Sequence, residues 1–171
     1  MKADAERDYT EYVTGRLPAL RRVATQLAGD AHRGDDLVQQ TITKLYTRWT
    51  RAAKADNLDA YTHRILVRTF LDERRLGWAR VRLDDRPTEP RPTTTADEAD
   101  RVTLRAALAR LPRQQRAVLV LRFLADHPVD TVADILQISP GTVKSHTAAG
   151  VAALRRLLPE YAGPTIREGQ R

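Results

Sequence analysis

The sequence predicts an all-α protein: two small helical domains joined by a flexible acidic linker, the second containing a helix-turn-helix. Three observations carry this. Apolar residues recur at helical spacing in each segment able to build a core. Residues 83–100 hold six acids, two arginines, three prolines and almost nothing apolar, so they cannot build one. The third is Val129 to Leu158, a short amphipathic helix, a tight turn and a longer helix with a small, basic outer face. The expected boundaries are 1–78 for the first domain, 79–98 for the linker, 99–158 for the second domain and 159–171 for a short tail.

In chain order, Tyr9, Tyr12 and Val13 open a first helical piece, which Pro18 is expected to interrupt or restart. A second piece continues through Leu20, Ala24 and Leu27 and stops at Gly29. The next helix is expected from Gly34 to Trp49, with Asp35 and Asp36 in its first turn, where the helix dipole favours acids. Its apolar stripe is Val38, Ile42, Leu45 and Trp49. After a polar loop, Thr50 to Asn57, a helix from Leu58 to Arg75 packs through Leu58, Tyr61, Ile65 and Leu66. Arg64, Arg68 and Arg75 lie near one another on it and run into Trp78, Arg80 and Arg82. Such an arginine stripe is often only a solvated face, but interleaved with aromatics it can hold a single nucleic-acid strand by phosphate contacts and stacking.

Beyond the linker, helices cover 98–124 and Val129 to Leu136. Ser139 then caps a last helix, with Pro140 at its first position. Val143, Thr147, Val151, Leu154 and Leu158 face inward, and Thr142, Ser145 and Ala149 lie opposite, with Lys144, His146 and Arg155 on the shoulders. Gln137 stands where the turn often has Gly; a left-handed backbone there costs roughly 1 kcal/mol with Gln. Two short helices and a turn also occur in helical proteins that never touch nucleic acid. Charge separates the readings: residues 101–158 carry nine Lys and Arg against three Asp, and the whole chain has a net charge of +7.

Other classes find little support. The chain has no cysteine, no apolar run that could span a bilayer and no secretory signal after its first Met, so a cytoplasmic protein without membrane association, disulfides or thiolate metal sites is expected. No phosphate-binding glycine loop, His-Glu-x-x-His or nucleophile elbow is present, and His32, His63, His127 and His146 are scattered singly. The expectation is therefore no enzyme, catalytic residue, cofactor or metal.

Four motifs in register carry a resemblance: Asp-Asp-Leu-Val-Gln-Gln at 35–40, Tyr-x-x-Arg-Ile with Asp-Glu-Arg-Arg across 61–75, Leu-Pro-Arg-Gln-Gln-Arg-Ala-Val from 111, and Gly-Thr-Val-Lys-Ser at 141–145. Over about residues 8–158 the chain resembles a bacterial RNA polymerase sigma factor of the extracytoplasmic-function (ECF) group. That family has two helical domains and a linker.

The resemblance implies partners and roles. Asp36, Leu37, Gln39 and Gln40 match the surface that docks on the clamp of the largest subunit of core RNA polymerase. Lys54, Asp56 and Asn57 match the loop that captures a flipped base of the downstream promoter element, and Tyr61, Arg64, Arg68 and Arg75 the helix that separates and holds that element. The acidic linker, with Asp84, Asp85 and Glu89, matches the segment threading toward the active centre. Residues 98–124 match the part resting on the flap of the second-largest subunit. In the last helix, Thr142, Ser145 and His146 are candidates for base edges of the upstream element in promoter DNA, and Lys144, Arg155 and Arg156 for its phosphates. An anti-sigma factor is a further candidate partner. The runner-up is a stand-alone helix-turn-helix regulator, which leaves the first domain and the linker without a role.

Overall fold

The computed structural model describes residues 2–76 and 96–161, with the side chains of 74–76 and 161 outside that description. The expected linker and tail fall largely outside it. Every regular element among the described residues is helical. No helix there is long and apolar enough to cross a membrane.

Helix α1 runs from Ala3 to Ala28 with Pro18 inside it, so the expected break is absent. Proline deprives a helix of one hydrogen bond and can cost about 3 kcal/mol. Here packing on both sides of the residue overrides that cost. Upstream, Tyr9, Tyr12 and Val13 pack on a cluster of Leu45, Trp49, Ala52 and Ile65; downstream, Leu20, Val23, Ala24 and Leu27 enter the main core. Gly29, at φ 91°, closes the helix as expected.

Helix α2, Ala31–Thr47, begins earlier than periodicity suggests, because the Asp30 side chain accepts the Arg33 N–H at 2.8 Å and caps it. Gly34 is therefore not a start but a point of close approach to α1. A Cβ on it would lie 2.7 Å from Thr25 Oγ1 and 2.8 Å from Thr25 Cα. Gly34→Ala is accordingly expected to destabilise the protein by about 1–2 kcal/mol, overpacking exceeding the roughly 1 kcal/mol gained in helix propensity. A lowered thermal midpoint in calorimetry checks this; a raised one contradicts it.

Trp49 lies outside α2, in the short helix α3, Trp49–Ala52. Its ring meets Tyr9 edge-on at 5.4 Å and Tyr12 at 5.7 Å. The Tyr12 hydroxyl, its pKa pushed up to about 12 chiefly by burial, stays protonated and bonds Asp59 Oδ1 and Thr62 Oγ1, each at 2.9 Å. This aromatic group fixes α3 and the following loop against helix α4, Leu58–Leu76.

Helix α5, Ala96–Ala109, starts within the last residues of the expected linker. Helix α6, Arg113–Leu119, continues into a π-helical turn over Val120–Leu124, which periodicity does not reveal. Asp126 then takes a left-handed backbone, φ 54°. Helix α7 is Val129–Leu136 and α8 is Pro140–Leu157. Gln137 between them is left-handed, φ 56°, and its amide donates to the Asp134 carbonyl at 2.8 Å. Val143 is fully buried, while Gly150 lets α8 approach α6, since a Cβ there would meet Leu119 at 2.8 Å.

One apolar cluster runs through both halves, from Leu27, Leu37, Val67 and Phe70 to Leu108, Leu111, Leu121 and Val132. Polar contacts accompany it. Arg116 of α6 donates to the Leu27 carbonyl at 2.8 Å, Arg113 donates to the Phe70 carbonyl, and His63 Nδ1 lies 2.7 Å from His127 Nε2. The two histidines, 64 positions apart in sequence, are thus a pair rather than single residues.

Burial and the neighbouring His127 lower the His63 pKa to about 4, against the influence of Asp59, and burial also lowers that of His127. An unfolded histidine takes up its proton near pH ~6.5. Between that value and about pH 4 the unfolded chain therefore binds protons that the folded chain refuses. Stability should fall as pH is lowered through this window, by up to about 1.4 kcal/mol per unit for each proton. Thermal melts at about pH 7 and pH 5 measure the loss, and His63→Gln should flatten it; an unchanged slope in the variant contradicts the assignment.

Candidate nucleic-acid and polymerase interfaces

The outer face of α4 and the adjoining α3 form a cleft of about 440 Å³, lined by Arg48, Arg51, Tyr61, Arg64 and Arg68 with the threonines Thr47 and Thr50. The aromatic cluster determines its floor: Ile65, buried beside Trp49, faces inward, so Arg64 and Arg68 flank it on the open side. No carboxylate lines the cleft among the described residues. Four guanidinium groups around one concavity favour an anion, and Tyr61 adds a ring for a planar group to stack on.

Of the residues expected at the downstream element, Tyr61, Arg64 and Arg68 come together here. Lys54, Asp56 and Asn57 do not line the cleft. Asn57 instead serves its own helix: its Oδ1 accepts the Ala60 N–H at 2.9 Å, capping α4. The Arg75 side chain, Trp78, Arg80 and Arg82 lie outside the described residues. Arg48 and Arg51 join the cleft without having been expected there. In the sequence they occupy only the end of one helix and a polar loop; the Trp49–Ala52 turn is what places them on the same side as Arg64 and Arg68.

On α2, Asp36, Gln39 and Gln40 are exposed. Gln40 makes one long bond, 3.4 Å, to Glu73. Leu37 does not belong with them. It is 0% exposed and part of the main core, because α2 packs against both α1 and α4 and so buries a wider face than a single stripe. Its expected surface contact is corrected to a packing role.

Helix α8 begins as the sequence suggests. Ser139 Oγ accepts the Thr142 N–H at 3.1 Å, and the two hydroxyls are 2.8 Å apart. Thr142 and His146 are half-buried; Lys144, Ser145, Arg155 and Arg156 are exposed. Ser145 Oγ donates to the Gly141 carbonyl at 3.1 Å and retains its acceptor capacity. These residues form one polar, basic surface on the solvent side of a helix whose other side, through Val143 and Gly150, is anchored on the core.

Comparison with known proteins agrees with this arrangement in both halves. Residues 13–80 match the family model for Sigma-70 region 2, and residues 101–154 match that for Sigma-70, region 4. An RNA polymerase sigma-E factor of Streptomyces avermitilis is 36% identical over 157 residues, covering 88% of this chain and 85% of that protein. The ECF RNA polymerase sigma factor EcfG of Rhodopseudomonas palustris is 30% identical over 150 residues, 85% of this chain and 82% of the other. Among solved structures, the sigma factor RpoE of Bartonella quintana, in complex with the anti-sigma factor NepR, superposes with a TM-score of 0.72 at 25% identity, covering 90% and 98% of the two chains. A stand-alone helix-turn-helix regulator would account for the second family match only. With a cationic cleft in a region 2 and a helix-turn-helix in a region 4, the chain belongs to the ECF group of RNA polymerase sigma factors and functions in transcription initiation.

Proposed function

We propose that this chain binds core RNA polymerase through the outer face of α2, reads an upstream promoter element with α8, and opens and holds a downstream element in the arginine cleft. The observation that carries the reading is the pairing, in one chain, of that cleft with a helix-turn-helix presenting a polar, basic face. Lys144, Arg155 and Arg156 suit phosphates, which position a duplex without reading it, while Thr142, Ser145 and His146 offer hydroxyl and imidazole groups to base edges. In the cleft, Arg48, Arg51, Arg64 and Arg68 hold the phosphates of a separated strand and Tyr61 stacks on a base.

Melting then follows from differential binding. The cleft accepts an unstacked strand but not a duplex, so each base and phosphate it captures shifts the equilibrium toward the open form. The protein supplies no bond-making chemistry of its own; the polymerase does that. Such a subunit works in the cytoplasm, and the complex of RpoE with the anti-sigma factor NepR supports an anti-sigma protein as a partner here too.

Run-off transcription on genomic fragments tests the reading. Core polymerase with this chain should yield discrete promoter-dependent transcripts, whereas core polymerase alone yields none. Identical products with and without the chain would refute it.

A further inference from the structure

Helices α2 and α4 run antiparallel, and their facing side chains pair in one register. Gln40 meets Glu73, its amide donating to the carboxylate at 3.4 Å. One turn on, Lys44 Nζ donates to Thr69 Oγ1 at 2.9 Å. A further turn brings Arg48 and Ile65 together in the cleft, and beyond them lie Arg51 and Tyr61. Successive pairs are roughly four residues apart on either side, a step of about 6 Å along the helices. The Lys44–Thr69 pair is thus the next step of the seam beyond the cleft.

Lys44 differs from a free surface lysine. It is half-buried, and Thr69 beneath it is buried. The Thr69 hydroxyl spends its own proton on the Ile65 carbonyl at 2.8 Å, so its oxygen takes one of the three ammonium protons and leaves two. No ion pair engages this ammonium among the described residues. Glu73 stands only one turn away, yet it is bonded by the uncharged Gln40. The result is a fixed, uncompensated cation one turn from Arg48 and beside Arg68 in the seam.

We infer that Lys44 is a phosphate-binding residue for the separated strand, whose path leaves the cleft across the α2–α4 seam, continues by one nucleotide and ends at the Gln40–Glu73 pair. The inference rests on the strand-holding role proposed above for the cleft. A step of about 6 Å is close to the interval between neighbouring phosphates of an extended strand, so a strand held at Arg48 and Arg68 presents its next phosphate at Lys44. Because Thr69 already holds the ammonium in place, less side-chain freedom is lost on binding than at a free lysine. At the following step Glu73, with the exposed Asp72 beside it, repels a phosphate and closes the path. The outer face of Asp36, Gln39 and Gln40 begins there, so strand and polymerase share α2 without competing for it.

The test uses core polymerase assembled with the full chain, on a promoter recovered by the run-off assay. Lys44→Met keeps the apolar stem and removes the charge. Open-complex formation, read by permanganate reactivity over a range of salt concentrations, should flatten by about 0.7 in log–log slope, the share of one single-strand phosphate. At a fixed moderate salt, opening should fall several-fold while co-elution with core polymerase is unchanged. Lys44→Arg, which restores the positive charge, should restore the slope; a lysine that only pinned α2 to α4 would leave the slope alone in both variants. If Lys44→Met loses helicity because Thr69 is left without its donor, Lys44→Met with Thr69→Val removes both polar partners and carries the same test. An unchanged slope in the folded variant, beside a flattened one in Arg51→Ala with Arg68→Ala, overturns the role of Lys44 and leaves the cleft standing. Unchanged slopes in both remove the cleft's role and that of Lys44 with it. A folded Lys44→Met chain that no longer co-elutes with the polymerase assigns the residue to docking and likewise overturns the inference.

Discussion

Asp36→Arg combined with Gln39→Glu is expected to abolish co-elution with core RNA polymerase and all promoter-dependent transcription. Both positions are exposed on α2, and the helix holds its place through Leu37, Val38, Thr41 and Leu45 on the opposite side. Exposed substitutions of this kind usually change stability by less than about 0.5 kcal/mol, so circular dichroism and the melting temperature should hardly move. An interface, in contrast, loses most of its energy through a few central residues, and reversing a charge adds repulsion to the loss. A folded double variant that still assembles with the polymerase would remove this face of α2 from the docking surface.

Arg51→Ala combined with Arg68→Ala is expected to leave polymerase binding intact and to suppress promoter opening. Both side chains are exposed and line the cleft, so the fold does not depend on them. If each contacts one phosphate of the separated strand, the double variant should flatten the salt dependence of strand binding by about 1.4 in log–log slope, at roughly 0.7 per phosphate. Permanganate reactivity of the downstream element should fall in parallel. Unchanged melting and an unchanged salt slope would assign the cleft's charge to solvation.

Much of this is legible in the chain itself. Helix α7 and the capped start of α8 form where the sequence places them, because Ser139 and Pro140 act locally and the inward stripe is unambiguous. Gln137 is left-handed, the case in which the sequence reading assigns it a cost relative to Gly. Other features escape a reading of the sequence for physical reasons. Pro18 fails to break α1 because packing upstream and downstream of it outweighs a local penalty. Leu37 is placed at the docking surface by the family resemblance alone, yet a helix enclosed by two neighbours buries the flank of its stripe. Arg48 and Arg51 join Arg64 and Arg68 only through the short turn at Trp49, which has too few residues to show periodicity. The His63–His127 pair and the Arg116–Leu27 contact link positions 64 and 89 residues apart, and nothing local announces either.

The measurement that bears most directly on the central claim is the association of the unaltered chain with core RNA polymerase, followed by size-exclusion chromatography alongside a parallel titration of duplex promoter DNA. The account predicts a stoichiometric complex with the polymerase that acquires promoter specificity, and weak duplex binding by the chain alone. No complex with the polymerase, together with tight and specific binding of a duplex by the isolated chain, would contradict it.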